Sequence, residues 1–272
     1  MKKSKICFIG SGNMTRSIVS GLVKSGYPTK LIETTNPSVE KLNAMQADFG
    51  VNVSHDNVAA CYSANIIVLS VKPQMMETVC NKLSHLDLSE KLIITIAAGI
   101  PANRYQDYFK QPVKVVRTMP NTPTQIGIGV TGIFADESIS ESEKLECEQI
   151  MQTGGEVVWV NKESELNQVI ALAGSSPAYF FMFVESMLDA AEKMNVPADK
   201  ARLMVQQAAL GAAEMVKQNP DLTAAQLREN VTSKGGTTAQ AIKTFEEGGL
   251  RQLVDSAMQN CVKRAEEMEK LF

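Results

Sequence analysis

The sequence has only two histidines in 272 residues, His55 and His85. A zinc site built on several imidazoles is thereby excluded, and a Ser-His-Asp hydrolase would have to use one of these two. An excess of either charge is also absent. The 27 basic and 30 acidic residues leave a formal net charge of −3, which gives no electrostatic footprint for nucleic acid or a membrane surface. The five cysteines, Cys7, Cys61, Cys80, Cys147 and Cys261, are an odd set without CxxC spacing, as suits reduced thiols acting as small hydrophobes. The basic start, Met1-Lys2-Lys3-Ser4-Lys5, is followed by a short apolar run from Ile6 to Ile9, too brief for the core of a signal peptide. No apolar stretch approaches the roughly 18 residues needed to span a bilayer. Internal repeats and low-complexity tracts are absent as well. The expectation is a cytoplasmic protein with no metal site and no nucleic-acid or membrane partner.

What is present is the composition of an ordinary globular protein, 44% hydrophobic and 21% charged, long enough to bury a core without staples. The first half alternates short β-branched runs with helical patterns. Strands are expected at residues 5–9, 31–34, 66–71, 92–98 and 113–117, with helices at 13–25 and 36–49. Such alternation argues for a parallel sheet covered on both faces. Residues 126–135 read as one more strand with antiparallel character, and 156–160 close the series. Beyond Val160 alanine, methionine and glutamate take over, with helical periodicity at 179–194, 198–216 and 250–271. The predicted fold class is α/β: a dinucleotide-binding domain at 1–161, then an all-α domain at 162–272.

Gly10-Ser11-Gly12-Asn13-Met14 follows Ile9 at the junction of the first strand and first helix. A dinucleotide fold needs glycines at this place, one for the tight turn and one so that backbone can approach a pyrophosphate. The N–H groups of the helix start then hold the anion. Thr15 fills the third position of GxGxxG, so the helix is expected to stand slightly off the strand. The second strand ends in Glu33-Thr34-Thr35-Asn36, with Ser38 beyond. Glu33 could accept two ribose hydroxyls but lies inside the strand. The hydroxyl-and-amide tip tolerates a 2′-phosphate without an arginine to demand one, so cofactor preference stays open.

Further motifs carry a family likeness. Ser70-Val71-Lys72-Pro73 ends the third expected strand, Ala97-Ala98-Gly99 the fourth, and Arg117-Thr118-Met119-Pro120-Asn121-Thr122-Pro123 the fifth. Ala173-Gly174-Ser175-Ser176-Pro177-Ala178-Tyr179 and Val231-Thr232-Ser233-Lys234-Gly235-Gly236-Thr237-Thr238 lie in the helical half. With the glycine turn, these motifs make the chain closely resemble pyrroline-5-carboxylate reductase from end to end. The resemblance implies an N-terminal Rossmann-type dinucleotide-binding domain followed by an all-α dimerisation domain. It implies reduction of 1-pyrroline-5-carboxylate to L-proline, the last step of proline synthesis, with NADPH or NADH, NADPH being favoured. It also implies a homodimer through interlocking helical domains, with a ring of dimers left open.

The resemblance assigns roles residue by residue, each beside a plainer reading. Ile9, Gly10, Ser11, Gly12, Asn13, Met14 and Asn36 would hold the cofactor. Ser70, Val71, Lys72 and Pro73 would flank its phosphates or ribose, or simply end a strand beside a solvated lysine. Ala97, Ala98 and Gly99 would admit the nicotinamide, or serve packing alone. Asn57 would reach the adenosine part, or cap a helix. Asn230 would approach the nicotinamide end, and Asn121 would wall the active site, or form a turn. Gly235, Gly236, Thr237 and Thr238 have the clearest logic: two glycines turn N–H groups into one concavity at a helix start, a nest for a small carboxylate. A Gly-Gly turn capped by threonine is the plain alternative. Thr238 would also hydrogen-bond the ring nitrogen as the catalytic contact, and Ser175 and Ser176 would line the same pocket.

The family usually has proline where Lys234 stands, so this lysine sits near the substrate carboxylate or in water. Glu185 and Asp189 read as a solvated pair, and both histidines as surface residues. A protonated cyclic imine needs no strong enzymic acid, in keeping with motifs that contain no histidine. Two other readings were weighed: a β-hydroxyacid dehydrogenase using Lys234 as acid/base, and a non-catalytic dinucleotide sensor.

Overall fold

The apolar runs of the first half become strands because both of their faces are covered. A computed structural model describes residues 3–271. Among these residues eight strands form one sheet: β1 (Ile6–Ile9), β2 (Ile32–Thr35), β3 (Asn52–Ser54), β4 (Ile66–Leu69), β5 (Leu92–Thr95), β6 (Lys114–Pro120), β7 (Gly129–Ala135) and β8 (Gly155–Trp159). Their order is β3-β2-β1-β4-β5-β6-β7-β8, parallel throughout except for the antiparallel pair β6–β7. The chain goes from β1 outward to β2 and β3, then returns to place β4 on the other side of β1. A crevice for a ligand opens at such a switch point.

Six helices cover the sheet: α1 (Asn13–Lys24), α2 (Val39–Phe49), α3 (Asn57–Ser63), α4 (Pro73–Leu83), α5 (Arg104–Phe109) and α6 (Glu141–Gln152). Alternation along each strand divides the core into two layers. Cys7, Ile9, Ile67, Leu69 and Ile93 join Cys61 of α3, Met76 of α4 and Phe109 of α5 on one face. Ile6, Phe8, Ile66, Val68 and Ile94 join Ile18 of α1, Met45 of α2 and Ile150 of α6 on the other. With both faces buried, the strands read as continuous apolar runs.

The rest of the chain is helical: α7 (Leu166–Val169), a π-helical turn over Ile170–Gly174, α8 (Ser176–Lys193), α9 (Ala198–Gln218), α10 (Ala224–Asn230), α11 (Thr237–Glu247) and α12 (Leu250–Glu269). Two compact units result. The first runs to Ser175 and takes back the chain from Cys261 onward; the second is Ser176–Asn260. Strands thus end close to the expected position 161, while the division between the units falls later, and the first unit is discontinuous. Inside the second unit α8 and α9 form a hairpin whose turn holds Asn195 at φ +60°, a conformation asparagine tolerates. Phe183 of α8 meets Phe245 of α11 with ring centroids 5.9 Å apart.

Several expectations are corrected. β3 is a short polar edge strand that carries no apolar signal. The helix expected from residue 36 starts at Val39, where the Ser38 hydroxyl accepts the Lys41 N–H at 3.4 Å. The strand expected from 126 starts at Gly129, because residues 122–126 form a 3-10 turn. The helical stretch Glu163–Lys193, of 31 residues, contains an 18-residue window of mean hydropathy 1.3 and is long and apolar enough by length and composition to cross a membrane. That corrects the expectation that no such stretch exists. A search for unbroken apolar runs passes over it, because Gly174, Ser175, Ser176 and Pro177 interrupt the apolar residues. Its Phe180, Phe181 and Met182 are about two-thirds exposed in the single chain, at 70%, 66% and 69%.

Candidate functional site

In the first unit the glycine turn lies at the switch point. Gly10 has φ +106°, and a Cβ there would stand 2.6 Å from the Ser70 carbonyl oxygen, so only glycine lets β1 leave the sheet so close to β4. Gly12 is the opposite case: nothing lies within 4 Å of where its Cβ would be. Gly12 caps α1 in extended backbone without a side-chain acceptor, and the first turn of α1 holds no acid. The first backbone bond of the helix is Arg16 N–H to Gly12 O at 2.9 Å, which leaves the N–H groups of Asn13, Met14 and Thr15 ahead of it. Open space in front of uncapped donors suits a phosphate. Ser70 adds a buried hydroxyl without a partner.

Thr15 fills the third position of the glycine pattern. It is fully buried, and its hydroxyl donates 2.7 Å to the Gly10 carbonyl, tying the first turn of α1 to the glycine it follows. This hydroxyl bond replaces the close packing that a third glycine would give.

The strand ends around this turn are held from behind. Lys72 is the exposed N-cap of α4 and Pro73 its first residue, a position where a missing N–H costs nothing. Thr95 at the end of β5 bonds the Tyr105 hydroxyl at 2.6 Å and accepts the Ala97 N–H at 3.3 Å. Its carbonyl accepts the Thr118 hydroxyl at 3.0 Å. Burial drives the Tyr105 phenol well above its ordinary pKa, so it stays neutral. Ala97 is buried and Ala98 half-buried, whereas Gly99, at φ +74°, abuts the far end of α12: a Cβ there would stand 2.8 Å from that of Met268.

The tip of β2 is hydroxyl and amide, as expected. Glu33 is paired with Lys5 Nζ at 2.8 Å. Asn36 Oδ1 accepts the Ser38 N–H at 2.9 Å. Asn57 is the first residue of α3, not its cap; Asp56 caps it, accepting from Val58 N and Ala59 N at 2.9 and 3.1 Å. His55, expected as a surface residue, is exposed and sits 2.9 Å from the Asn36 carbonyl. Only the pairing of β3 with β2 reveals that neighbour.

Asn121 is buried at 7% exposure with both ends of its amide engaged: Nδ2 donates 3.0 Å to Ala173 O, and Oδ1 accepts the Val130 N–H at 2.9 Å. It joins the start of β7 to the π-helical turn, whose own bond runs from Ser175 N to Ile170 O at 2.7 Å. The Ser175 hydroxyl accepts from Cys261 Sγ at 3.5 Å. Arg117, in the same motif as Asn121, is 1% exposed and reaches Glu163 at 2.8 Å and Glu269 at 3.5 Å. Nothing in the local sequence points to either pairing.

In the second unit the double glycine forms a second uncapped helix start. Gly235 has φ +73°, and Gly236 caps α11 in extended backbone without a side-chain acceptor. A Cβ at Gly236 would stand 2.5 Å from the Ser233 hydroxyl. The α11 ladder begins with Gln240 N to Gly236 O at 3.3 Å, so the N–H groups of Thr237, Thr238 and Ala239 precede it. Thr237, Thr238 and Lys234 are exposed, as are Asn230 at the end of α10 and the pair Glu185 and Asp189 on α8; Ser176 is half-buried at the start of α8.

Comparison with known proteins agrees with this geometry in both halves of the chain. A family model for NADP oxidoreductases, coenzyme F420-dependent, matches residues 5–99, and one for pyrroline-5-carboxylate reductase dimerisation matches 163–268. A pyrroline-5-carboxylate reductase of Vibrio alginolyticus is 51% identical over 272 residues, covering all of both chains. The solved pyrroline-5-carboxylate reductase of Coxiella burnetii is 40% identical with a TM-score of 0.91, over 98% of this chain and 99% of that one. The Plasmodium falciparum pyrroline carboxylate reductase with NADP bound is 26% identical with a TM-score of 0.89, over 99% of both. With 51% identity running the full length and a dimerisation model matching its helical half, the chain belongs to the pyrroline-5-carboxylate reductase family.

Proposed function

We propose that this chain reduces 1-pyrroline-5-carboxylate to L-proline with NADPH or NADH, as a homodimer joined through its helical unit. The observation that carries the reading is the uncapped start of α1 behind Gly12, with open space where a side chain would stand. The bound nicotinamide nucleotide supplies a hydride and its electron pair. The N–H groups of Asn13 and Met14 hold the pyrophosphate, with Ile9, Gly10 and Ser11 shaping the turn. Asn36 and Asn57 serve the adenosine end. Ser70, Val71, Lys72 and Pro73 border the phosphates. Ala97, Ala98 and Gly99 keep the end of β5 low for the nicotinamide, and Asn230 serves that end from the helical unit.

On the helical unit, Gly235 and Gly236 set the N–H groups of Thr237 and Thr238 to hold the substrate carboxylate. The Thr238 hydroxyl bonds the ring nitrogen, with Ser175 and Ser176 as further polar contacts. Asn121 braces the wall, with Oδ1 and one Nδ2 hydrogen committed to backbone. The imine arrives protonated. Hydride adds to the carbon of the C=N bond, the π electrons settle on nitrogen as a lone pair, and no enzymic acid is required. Positioning alone contributes up to about 7–11 kcal/mol in favourable cases. Exposed apolar residues along α8 and α9, including Phe180, Phe181, Leu203 and Met204, support a second copy covering the helical unit.

The test follows loss of reduced nicotinamide with pyrroline-5-carboxylate and identifies proline as product. Turnover with neither cofactor would refute the assignment. Thr238→Ala should lower kcat strongly while leaving the dissociation constant of the nucleotide within about threefold, under half of the 1.4 kcal/mol that a tenfold change represents.

A further inference from the structure

The parallel pairing of Thr35 with Ser54 brings the residues that follow β2 and β3 side by side. His55 Nδ1 lies 2.9 Å from the Asn36 carbonyl oxygen. A carbonyl only accepts, so Nδ1 carries the hydrogen and Nε2 is the ring's remaining hydrogen-bonding atom. Asn36 spends Oδ1 on the Ser38 N–H, which leaves its amide N–H groups to donate. Ser38 Oγ accepts the Lys41 N–H and keeps its own proton for donation. Carboxylates at this tip are otherwise occupied. Glu33 is paired with Lys5, and Asp56 faces the N–H groups of α3. On α2, the exposed Glu40 of the first turn is followed by Lys41.

A ribose diol is best held by a carboxylate accepting from two hydroxyls, whereas a 2′-phosphate needs donors. This tip offers donors and no uncommitted carboxylate on β2. We infer that His55 is a specificity-determining residue, whose Nε2 hydrogen-bonds the 2′-phosphate of NADPH and so sets a preference for the phosphorylated dinucleotide. The inference rests on the dinucleotide reading above. On this reading a chain without an arginine at this position takes its contact to the extra phosphate from the loop that follows the neighbouring edge strand.

The experiment is calorimetric titration of the wild-type protein, His55→Ala and His55→Lys with adenosine 2′,5′-bisphosphate and, separately, adenosine 5′-monophosphate. The wild type should bind the bisphosphate at least about tenfold more tightly, the worth of one charge-assisted hydrogen bond. In His55→Ala that ratio should fall about tenfold, with affinity for the monophosphate nearly unchanged, and His55→Lys should restore it. Because His55 is exposed, both variants should keep the wild-type unfolding midpoint. A ratio preserved in His55→Ala overturns the inference, as does a wild type that binds both probes equally. A wild type that binds neither overturns the dinucleotide reading itself, and this inference with it.

Discussion

Replacing Asn121 by alanine separates bracing from substrate contact. The substitution strands two backbone groups, the Val130 N–H and the Ala173 carbonyl, at a residue that is 7% exposed. A buried polar group left without a partner costs about 1–3 kcal/mol, and with both groups on half-buried residues the pair amounts to about 2 kcal/mol. Against a typical total of about 5–15 kcal/mol, that is a large fraction. Trp159, the single tryptophan, lies in β8 of the same unit, and its fluorescence reports unfolding there. Urea titration should show a lower midpoint with an unchanged slope. Asn121→Asp keeps an acceptor for Val130 but sets a carboxylate against the Ala173 carbonyl, and should also lower the midpoint. The KM for pyrroline-5-carboxylate should stay near the wild-type value wherever the variant remains folded. An unchanged midpoint with a raised KM would refute the argument and return Asn121 to the substrate.

Arg117→Met should destabilise the first unit by about 1–3 kcal/mol, since it leaves the partly exposed Glu163 and Glu269 without their cation; the same tryptophan signal checks it, and an unmoved midpoint would contradict it. Glu143 gives a pH-dependent outcome. Burial alone would raise its pKa, but the Ser140 hydroxyl and amide and the Lys114 ammonium outweigh that and hold it below the ordinary 4.5. A depressed carboxylate stabilises the fold above its ordinary pKa and loses that contribution as pH falls. The stability gap between wild type and Glu143→Gln should therefore be constant near neutrality and close as pH drops below 4.5; a gap that widens in acid would reverse the sign.

How far the sequence was legible follows from where each residue's partners lie. β1, β4 and β5 were readable because strands buried on both faces must be apolar at every position. β3 pairs only at the sheet edge and needs no such run, so Asn52-Val53-Ser54 gave no signal. The glycines at 10, 235 and 236 were readable because close approach or left-handed backbone leaves few alternatives to glycine, and Gly12 by its spacing from Gly10 at a strand–helix junction. The partners of Arg117 were not: Glu163 is 46 residues away along the chain and Glu269 is 152. The role of Thr15 was not legible, because its hydroxyl reaches a carbonyl five residues back.

The return of residues from Cys261 onward to the first unit bears on the order in which the protein is made. In most chains an amino-terminal domain leaves the ribosome complete and folds while synthesis continues, at about 5–20 residues per second. Here the sheet emerges early, but Arg117 still lacks Glu269, and Gly99 still lacks Met268. The nucleotide unit is finished only when the last turns of α12 arrive, long after its own strands have left the ribosome.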